Sequence, residues 1–160
     1  MNNNFISVLN CGSSSLKFSL INPENGATLL SGLAERLLSD QAIIKIKHNG
    51  EKEQHLILAP YDHQSAVLCL VEHLKRLHLI DCISAIGHRV VHGGENYCQP
   101  TLINNDVKAA IEKLARLAPL HNPATLTGIL AAEAAFPHLK QVAIFDTAFH
   151  QTMPEKAYIY

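Results

Sequence analysis

The segment from Asn10 to Lys17 combines an amide, a glycine, three serines and a lysine between two short apolar runs. Gly12 allows close backbone approach, and consecutive N–H groups around Ser13 and Ser15 can surround an anion such as phosphate. Lys17 adds a compact positive charge, and the side-chain oxygen of Asn10 suits Mg²⁺ or a water bound to it. An ordinary serine-rich turn is the alternative interpretation. The spacing does not match a Walker A loop.

A second segment, residues 87–95, contains Arg89 between two histidines. An arginine can hold a carboxylate or phosphate through two parallel hydrogen bonds, although an ordinary surface ion pair is the alternative. The spacing of His88 and His92 suggests a metal site. However, the pattern predicts a strand and a glycine bend, and no Glu follows His88 as in His-Glu-x-x-His, so we do not expect zinc binding.

A third segment places Asp146 directly after a buried apolar strand. A lone carboxylate there suits Mg²⁺ or water, whereas a turn or capping role is the alternative. His121, in residues 117–123, can donate to a phosphoryl oxygen or cap local carbonyl groups. Six further histidines are expected on exposed strands, helices and loops and receive no role: His48, His55, His63, His73, His78 and His138.

Alternating apolar residues predict the strands that must position these groups. The expected strands are 5–9, 16–21, 27–33, 42–47, 55–58, 83–91 and 141–145, with a hairpin at Asn49-Gly50. Strands come first and then alternate with helices, so we predict an α/β domain with a mixed sheet. Ligand sites in such sheets gather at the strand ends, where all three segments fall.

Three helices are expected between these strands. Asp62 can cap the first helix, Asn105 or Asp106 opens the second, and Asn122-Pro123 opens the third. Their predicted buried positions are Ala66, Leu70, Leu74 and Leu77; then Val107, Ile111, Leu114 and Leu117; then Leu126, Ile129, Leu130 and Ala134.

Composition excludes several classes of protein. The 160 residues suffice for one domain, and a formal charge of −1 argues against a nucleic-acid platform. No apolar run is long enough for a membrane span, and the N-terminus lacks the basic region of a signal peptide. Four separate cysteines form no Cys-x-x-Cys pair, which favours a reducing cytoplasm, with Cys11 and Cys82 as small core residues. The apolar, aromatic residues 153–160 predict a chain that continues.

Four segments together resemble a known family. Residues 9–17, 87–95, 118–123 and 145–154 are similar, in order and spacing, to the N-terminal domain of acetate kinases, within the actin-like acetate and sugar kinases. The resemblance implies a ribonuclease H-like, actin-like domain and the Mg²⁺-dependent reaction ATP + acetate ⇌ ADP + acetyl phosphate. It also implies that Asn10 contributes to the magnesium site and that Lys17 faces the nucleotide phosphates. Gly12, Ser13 and Ser15 would line the phosphate loop.

The same resemblance assigns the acetate side. Arg89 would bind the acetate carboxylate or the phosphoryl group in transfer, and Val91 and Leu120 would contact the acetate methyl group. His121 would lie near the transferring phosphoryl group, and Asp146 would be the catalytic aspartate. Because acetate is already ionised at pH 7, with a pKa of ~4–5, it needs no general base. We therefore expect Asp146 to act as a Mg²⁺-linked positioning group.

The family also sets expectations for the parts beyond this domain. Its members are more than twice this length, and a second domain supplies the adenosine pocket and most of the homodimer interface. The resemblance thus implies that residues 1–160 form a single N-terminal domain without the C-terminal nucleotide-binding domain, and that these residues alone have little or no turnover. A propionate or butyrate kinase, and a naturally short domain that binds an anion or a partner, are the alternatives. A sugar kinase is disfavoured by Arg89 and the small apolar pocket.

Overall fold

The computed structural model describes residues 4–90, 99–116 and 122–145. Their strands are β1 (Phe5–Cys11), β2 (Leu16–Ile21), β3 (Thr28–Glu35), β4 (Ile43–His48), β5 (Glu51–Leu56), β6 (Ile83–Val90), β7 (Thr101–Leu102) and β8 (Lys140–Phe145). Their helices are α1 (His63–Arg76), α2 (Asn105–Ala115) and α3 (Asn122–Ala135), with a short 3₁₀ helix at Ile80–Cys82. Within these ranges, none of the helices has the length and apolar character to span a bilayer.

All eight strands belong to one mixed sheet in the order β5-β4-β3-β2-β1-β6-β8-β7. β1 to β5 form an antiparallel meander, whereas β1, β6 and β8 are mutually parallel. The two-residue β7 pairs antiparallel to β8 at the edge. The predicted α/β class with a mixed sheet is confirmed, and the carboxyl ends of the three parallel strands meet at one edge of the sheet.

The hairpin at Asn49-Gly50 is present, with φ angles of 52° and 79° at its two residues. Positive φ at both central residues matches the right-handed twist of the flanking strands. Because this turn is so tight, His48 pairs directly with Glu51. The prediction of a strand at 55–58 was therefore wrong in its bounds, since pairing begins next to the turn and ends at Leu56.

The three helices begin where the sequence predicts. The Asp62 Oδ1 atom accepts a hydrogen bond from the Ser65 backbone N–H at 2.8 Å, which caps α1. The Asn104 side chain caps α2 in the same way, by accepting from the Val107 backbone N–H at 2.9 Å. These caps satisfy N–H groups that have no partner within their helices.

Within the described ranges, the helices pack against one face of the sheet and none of them covers the other face. The larger core joins α1 and part of α3 to β1–β4 and β6, and a smaller core joins α2 and α3 to the ends of β6 and β8. The prediction that Leu130 and Ala134 are buried was wrong: Leu130 is 50% exposed, whereas Ala131 and Ala132 are buried. Helix α3 is apolar nearly all round, so its sequence pattern does not define the face that contacts the core.

Candidate functional site

The loop between β1 and β2 lies at the same edge of the sheet as the carboxyl ends of β6 and β8. Cys11 and Leu16 form the last pair of the β1–β2 hairpin, so residues 12–15 make the turn. In the parallel part, β6 ends at Val90 and β8 at Phe145, and these two residues are paired. The edge predicted for ligand binding is therefore formed by elements far apart in sequence.

Three predicted site residues lie side by side across β2, β1 and β6. Asn10 on β1 is paired with Lys17 on β2. Leu9 on β1 is paired with His88 on β6, and Asn10 and Arg89 are the next residues of these two strands. Since side chains alternate along a strand, Lys17, Asn10 and Arg89 share the face opposite the helices. Lys17 and Arg89 are exposed and Asn10 is half-buried. The sheet thus brings two cations to either side of one amide.

Two backbone hydrogen bonds fix the conformation of the turn. The Gly12 N–H donates to the Ser15 carbonyl at 2.9 Å, and the Leu37 N–H donates to the Ser14 carbonyl at 3.0 Å. Ser13 and Ser14 are exposed, and among the described residues the N–H groups of Ser13, Ser14 and Ser15 donate to no acceptor. Consecutive N–H groups in this state can bind an anion.

The Ser15 side chain packs closely against position 12 within the turn. A Cβ atom there would lie 2.7 Å from the Ser15 Oγ atom, closer than van der Waals contact allows. A side chain at Gly12 would therefore displace the Ser15 hydroxyl from its position beside the loop.

A buried histidine that the sequence reasoning missed supports the turn. His63, the first residue of α1, is 4% exposed, and its Nε2 atom lies 2.7 Å from the Gly12 carbonyl oxygen. The expectation of an exposed position was wrong for His63 and also for His73, which is buried. Residues 63, 67, 70 and 74 have helical spacing, so the apolar face of α1 signals burial of His63 but not its partner.

His88 points into the core and is not available at the surface. Its Nε2 atom lies 2.5 Å from the Gln141 Oε1 atom, and its side chain is 2% exposed. Burial lowers the pKa of His88 from 6.5 to about 4, against smaller opposing effects of the Gln141 hydrogen bond and the Glu133 charge. His88 is therefore a neutral core histidine at pH 7.

Cys11 contacts helix α3 just behind the turn. It is half-buried, and burial raises the pKa of its thiol from 9.0 to about 12. A thiol with such a pKa is not a nucleophile near neutral pH. Cys11 thus acts in packing against the larger core, but the prediction that Cys11 and Cys82 are core residues was wrong in degree, because both are only half-buried.

Four predicted site residues lie outside the described residues: Val91, Leu120, His121 and Asp146. His92 lies outside them as well. Asp146 directly follows Phe145, which is fully buried at the end of β8. The roles of these residues stay predictions.

A separate cluster of possible metal ligands lies on β5 and α1. The ligand atoms of Glu53, His55 and His73 all lie within 4.8 Å of one another. However, the Arg76 Nη2 atom lies 2.6 Å from the Glu53 Oε2 atom and 2.8 Å from the His73 Nδ1 atom. A guanidinium therefore already supplies the positive charge that a metal would bring, and we interpret this cluster as an ion-pair network.

The open face of the sheet carries further positive charge beyond Lys17. A groove of about 690 Å³ across β2–β5 is lined in part by Lys17, Lys45, Lys47 and Lys52. Lys45 forms an ion pair with Glu35 at 2.8 Å. Among the described residues of the candidate site, Lys17 alone lines this groove, so the strand ends remain the better candidate for the reacting groups.

Solved structures of small-carboxylate kinases share this architecture. A propionate kinase from Francisella tularensis matches with a TM-score of 0.87 and 44% identity over 96% of this chain and 39% of its own. The acetate kinase of Porphyromonas gingivalis matches with a TM-score of 0.85 and 41% identity over 96% of this chain and 40% of its own. The fold is therefore the actin-like fold of acetate and propionate kinases.

Sequence comparison identifies the family. The model of the acetokinase family matches residues 5–160. The acetate kinase of Chromobacterium violaceum is 52% identical over 158 residues, which cover 99% of this chain and 40% of that relative. The chain belongs to the acetokinase family and spans about 40% of the length of the relatives it matches. The resemblance found in the sequence is confirmed.

Proposed function

We propose that this chain carries the acetate side of an acetate kinase, which transfers the γ-phosphoryl group of ATP reversibly to acetate and yields acetyl phosphate and ADP. The observation that supports this most strongly is the row of Lys17, Asn10 and Arg89 beside an open N–H turn, in a chain of this family. Phosphoryl transfer needs positioning and charge stabilisation more than covalent chemistry by the protein, and these groups supply both.

In this proposal the turn holds the phosphate groups of the nucleotide. The N–H groups of Ser13 and Ser15 donate to phosphate oxygens, and Gly12 keeps the backbone close to them. Lys17, exposed at the start of β2, adds charge on the face that the turn adjoins. Lysine acts here as a point charge beside the directional N–H donors.

Arg89 brings the two anionic reactants together. Acetate and the γ-phosphoryl group repel each other, and a guanidinium can bind a carboxylate or a phosphoryl group through two parallel hydrogen bonds. Such a cation is worth roughly 10³-fold or more in comparable phosphoryl transfers. His121 would donate to the same phosphoryl group.

The donor set fits Mg²⁺, the hard cation expected with ATP. Asn10 offers a half-buried carboxamide oxygen between Lys17 on β2 and Arg89 on β6. Oxygen is the ligand that Mg²⁺ prefers. Asp146 would add a carboxylate as a positioning group. When bound, Mg²⁺ neutralises phosphate charge. The chain's own residues then orient the nucleotide and the acetate.

The acyl substrate follows from the apolar pocket assigned to Val91 and Leu120. The structural similarity to a propionate kinase supports propionate as the alternative substrate. One extra methylene group changes the specificity of a hydrophobic pocket by only about 1–3 kcal/mol. A comparison of kcat/KM for acetate and propionate decides between them.

The remaining elements of the proposal concern the whole enzyme. We propose that it works as a cytoplasmic homodimer and that the adenosine part of ATP is bound by sequence beyond the length of this chain, as the 40% coverage of relatives supports. A short, non-catalytic domain that binds acetyl phosphate is the alternative.

The proposal is tested by joining residues 1–160 to the remaining part of the Chromobacterium violaceum acetate kinase. The joined protein should form acetyl phosphate from acetate and MgATP. Arg89→Leu should lower kcat by roughly 10³-fold, because the cation between the reactants is lost. Arg116→Leu, at an exposed arginine at the end of α2, is the matched control and should leave the rate unchanged. Unaltered turnover of the Arg89 variant would contradict the proposed role.

A further inference from the structure

We propose that His63 is a positioning residue of the phosphate loop: its hydrogen bond to the Gly12 carbonyl turns the Ser13 N–H group toward the bound phosphate. This inference rests on the proposed function of the loop. It adds a residue of helix α1, outside the four motif segments, to the machinery of the site.

The contact between His63 and Gly12 joins two elements that are far apart in sequence. The His63 Nε2 atom lies 2.7 Å from the Gly12 carbonyl oxygen, and the ring is 4% exposed. A carbonyl oxygen can only accept a hydrogen bond, so the His63 Nε2 atom must carry the proton. Asp62 caps the helix immediately before His63, so the ring projects from a fixed helix end.

The orientation of the Ser13 N–H group follows from the planarity of the peptide bond. In a trans peptide the C=O of one residue and the N–H of the next point in opposite directions. Holding the Gly12 C=O toward His63 therefore directs the Ser13 N–H away from α1. Ser13 is exposed, so this N–H lies on the side that a ligand can reach.

A second hydrogen bond orients the other end of the turn in the same way. The Leu37 N–H donates to the Ser14 carbonyl at 3.0 Å, which fixes the Ser14–Ser15 peptide and hence the Ser15 N–H. The two anchored peptides thus present two N–H groups from a short turn. His63 is the side-chain part of this arrangement, and Leu37 is the backbone part.

Substitutions at His63 separate the hydrogen bond from simple packing. Glutamine places its amide nitrogen the same number of bonds from Cβ as the imidazole Nε2, so His63→Gln retains a donor that can reach the Gly12 carbonyl. Asparagine is shorter by one bond, and leucine has no donor. His73→Leu is the matched control, because His73 is also buried on α1 but its ring contacts Arg76 instead of the turn.

The experiment follows the backbone N–H signals of the 160-residue chain by ¹⁵N NMR during titration with MgATP and, separately, with inorganic phosphate. In the unmodified chain and in His63→Gln, the Ser13 and Ser15 signals should shift with the same apparent affinity. In His63→Leu and His63→Asn the apparent affinity should fall roughly tenfold, since the Gly12 carbonyl loses its donor and its peptide can rotate. The His73→Leu chain should bind like the unmodified chain.

Each outcome decides a different point. Equal affinity in His63→Leu and the unmodified chain would overturn the role of His63 while leaving the loop as a phosphate site. No shift of the Ser13 and Ser15 signals in the unmodified chain would overturn the proposed function of the loop and this inference with it. If His63→Leu does not fold, the comparison of glutamine with asparagine still tests the hydrogen bond.

Discussion

His88 shows how burial sets the chemistry of a single residue beside the candidate site. Arg89, the next residue, is exposed on the opposite face of β6, whereas His88 lies in the core against Gln141. The strand alternation that exposes the cation therefore buries the imidazole. A strand end can in this way carry an exposed cation and a core residue at adjacent positions.

The buried His88 predicts a loss of stability in mild acid. Its pKa is about 4 in the folded chain and 6.5 for an ordinary solvated histidine, so the unfolded chain binds the proton first as the pH falls. The stabilisation is present above pH 6.5 and is lost progressively toward pH 4, by on the order of 3 kcal/mol. Urea unfolding at pH 7, 5.5 and 4 measures this loss.

His88→Gln should reduce this dependence on pH, because glutamine does not titrate and can still bond to Gln141. His138→Gln removes an exposed histidine and provides the control. A dependence of the same steepness in His88→Gln and the unmodified chain would show that other groups cause the acid sensitivity.

At the scale of elements, helix α3 approaches the end of β1 at one small residue. A Cβ atom on Gly128 would overlap the Cys11 Sγ atom and lie 3.3 Å from the Cys11 Cβ atom. Glycine at this position therefore allows the helix to pack closely against the strand that leads into the turn at residues 12–15. Cys11 and Gly128 together set the distance between α3 and β1.

Gly128→Ala should destabilise the chain although alanine is the better helix former. The steric cost of overpacking is about 1–3 kcal/mol, which exceeds the gain in helix propensity of about 1 kcal/mol at most when the site cannot relax. Adding Cys11→Ala removes the clashing sulfur atom and should restore stability to the level of Cys11→Ala alone or above it. Thermal unfolding of the unmodified chain, the two single variants and the double variant forms a double-mutant cycle. Additive effects of the two substitutions on stability would contradict a direct contact between the two residues.

Local sequence patterns predicted most elements because their signals lie within a few residues. The Asn49-Gly50 turn, the Asp62 cap and the alternation in β2 each depend on neighbours in the chain. The two-residue β7 has no such pattern. The His63–Gly12 hydrogen bond could not be predicted, because it depends on where α1 packs against the sheet.

Sequence motifs predicted the residues of the candidate site but not the contacts that support the turn. Lys17, Asn10 and Arg89 were chosen from their types and motifs, and the sheet places them in one row. Tertiary packing decides which carbonyl groups of the turn accept hydrogen bonds from other parts of the chain, as the bond from the Leu37 N–H to the Ser14 carbonyl shows. Motifs therefore identified the candidate groups of the site better than the residues that support the turn.

At the scale of the whole molecule, the described helices cover one face of the sheet and none of them covers the other. The three helices bury one side of the sheet, whereas Lys17, Asn10 and Arg89 stand on the other. A two-sided active site needs groups on the far side of its substrates as well, because water must be excluded during phosphoryl transfer. The chain spans about 40% of the length of the relatives it matches, so in the proposed function the groups on the far side of the substrates would have to come from outside it.

The isolated 160-residue chain should accordingly show little or no formation of acetyl phosphate from acetate and MgATP. The protein joined to the remaining part of the Chromobacterium violaceum relative should be active under the same conditions. A coupled assay of ADP production, with the Arg89→Leu joined protein as the inactive control, measures the difference. A turnover of the isolated chain equal to that of the joined protein would contradict the need for further sequence.

The strand order also bears on how the chain is made. β1 to β5 are consecutive in sequence and neighbours in space, so this meander can assemble as soon as it leaves the ribosome. The other side of β1, however, pairs with β6, which is synthesised later. Until that strand arrives, the nascent chain exposes an unpaired β1 edge with apolar residues, which is a surface that chaperones bind and that promotes aggregation. Strand β1, which leads into the turn at residues 12–15, is thus made before the other described strands and, in the described sheet, is paired on both sides only after β6 has followed.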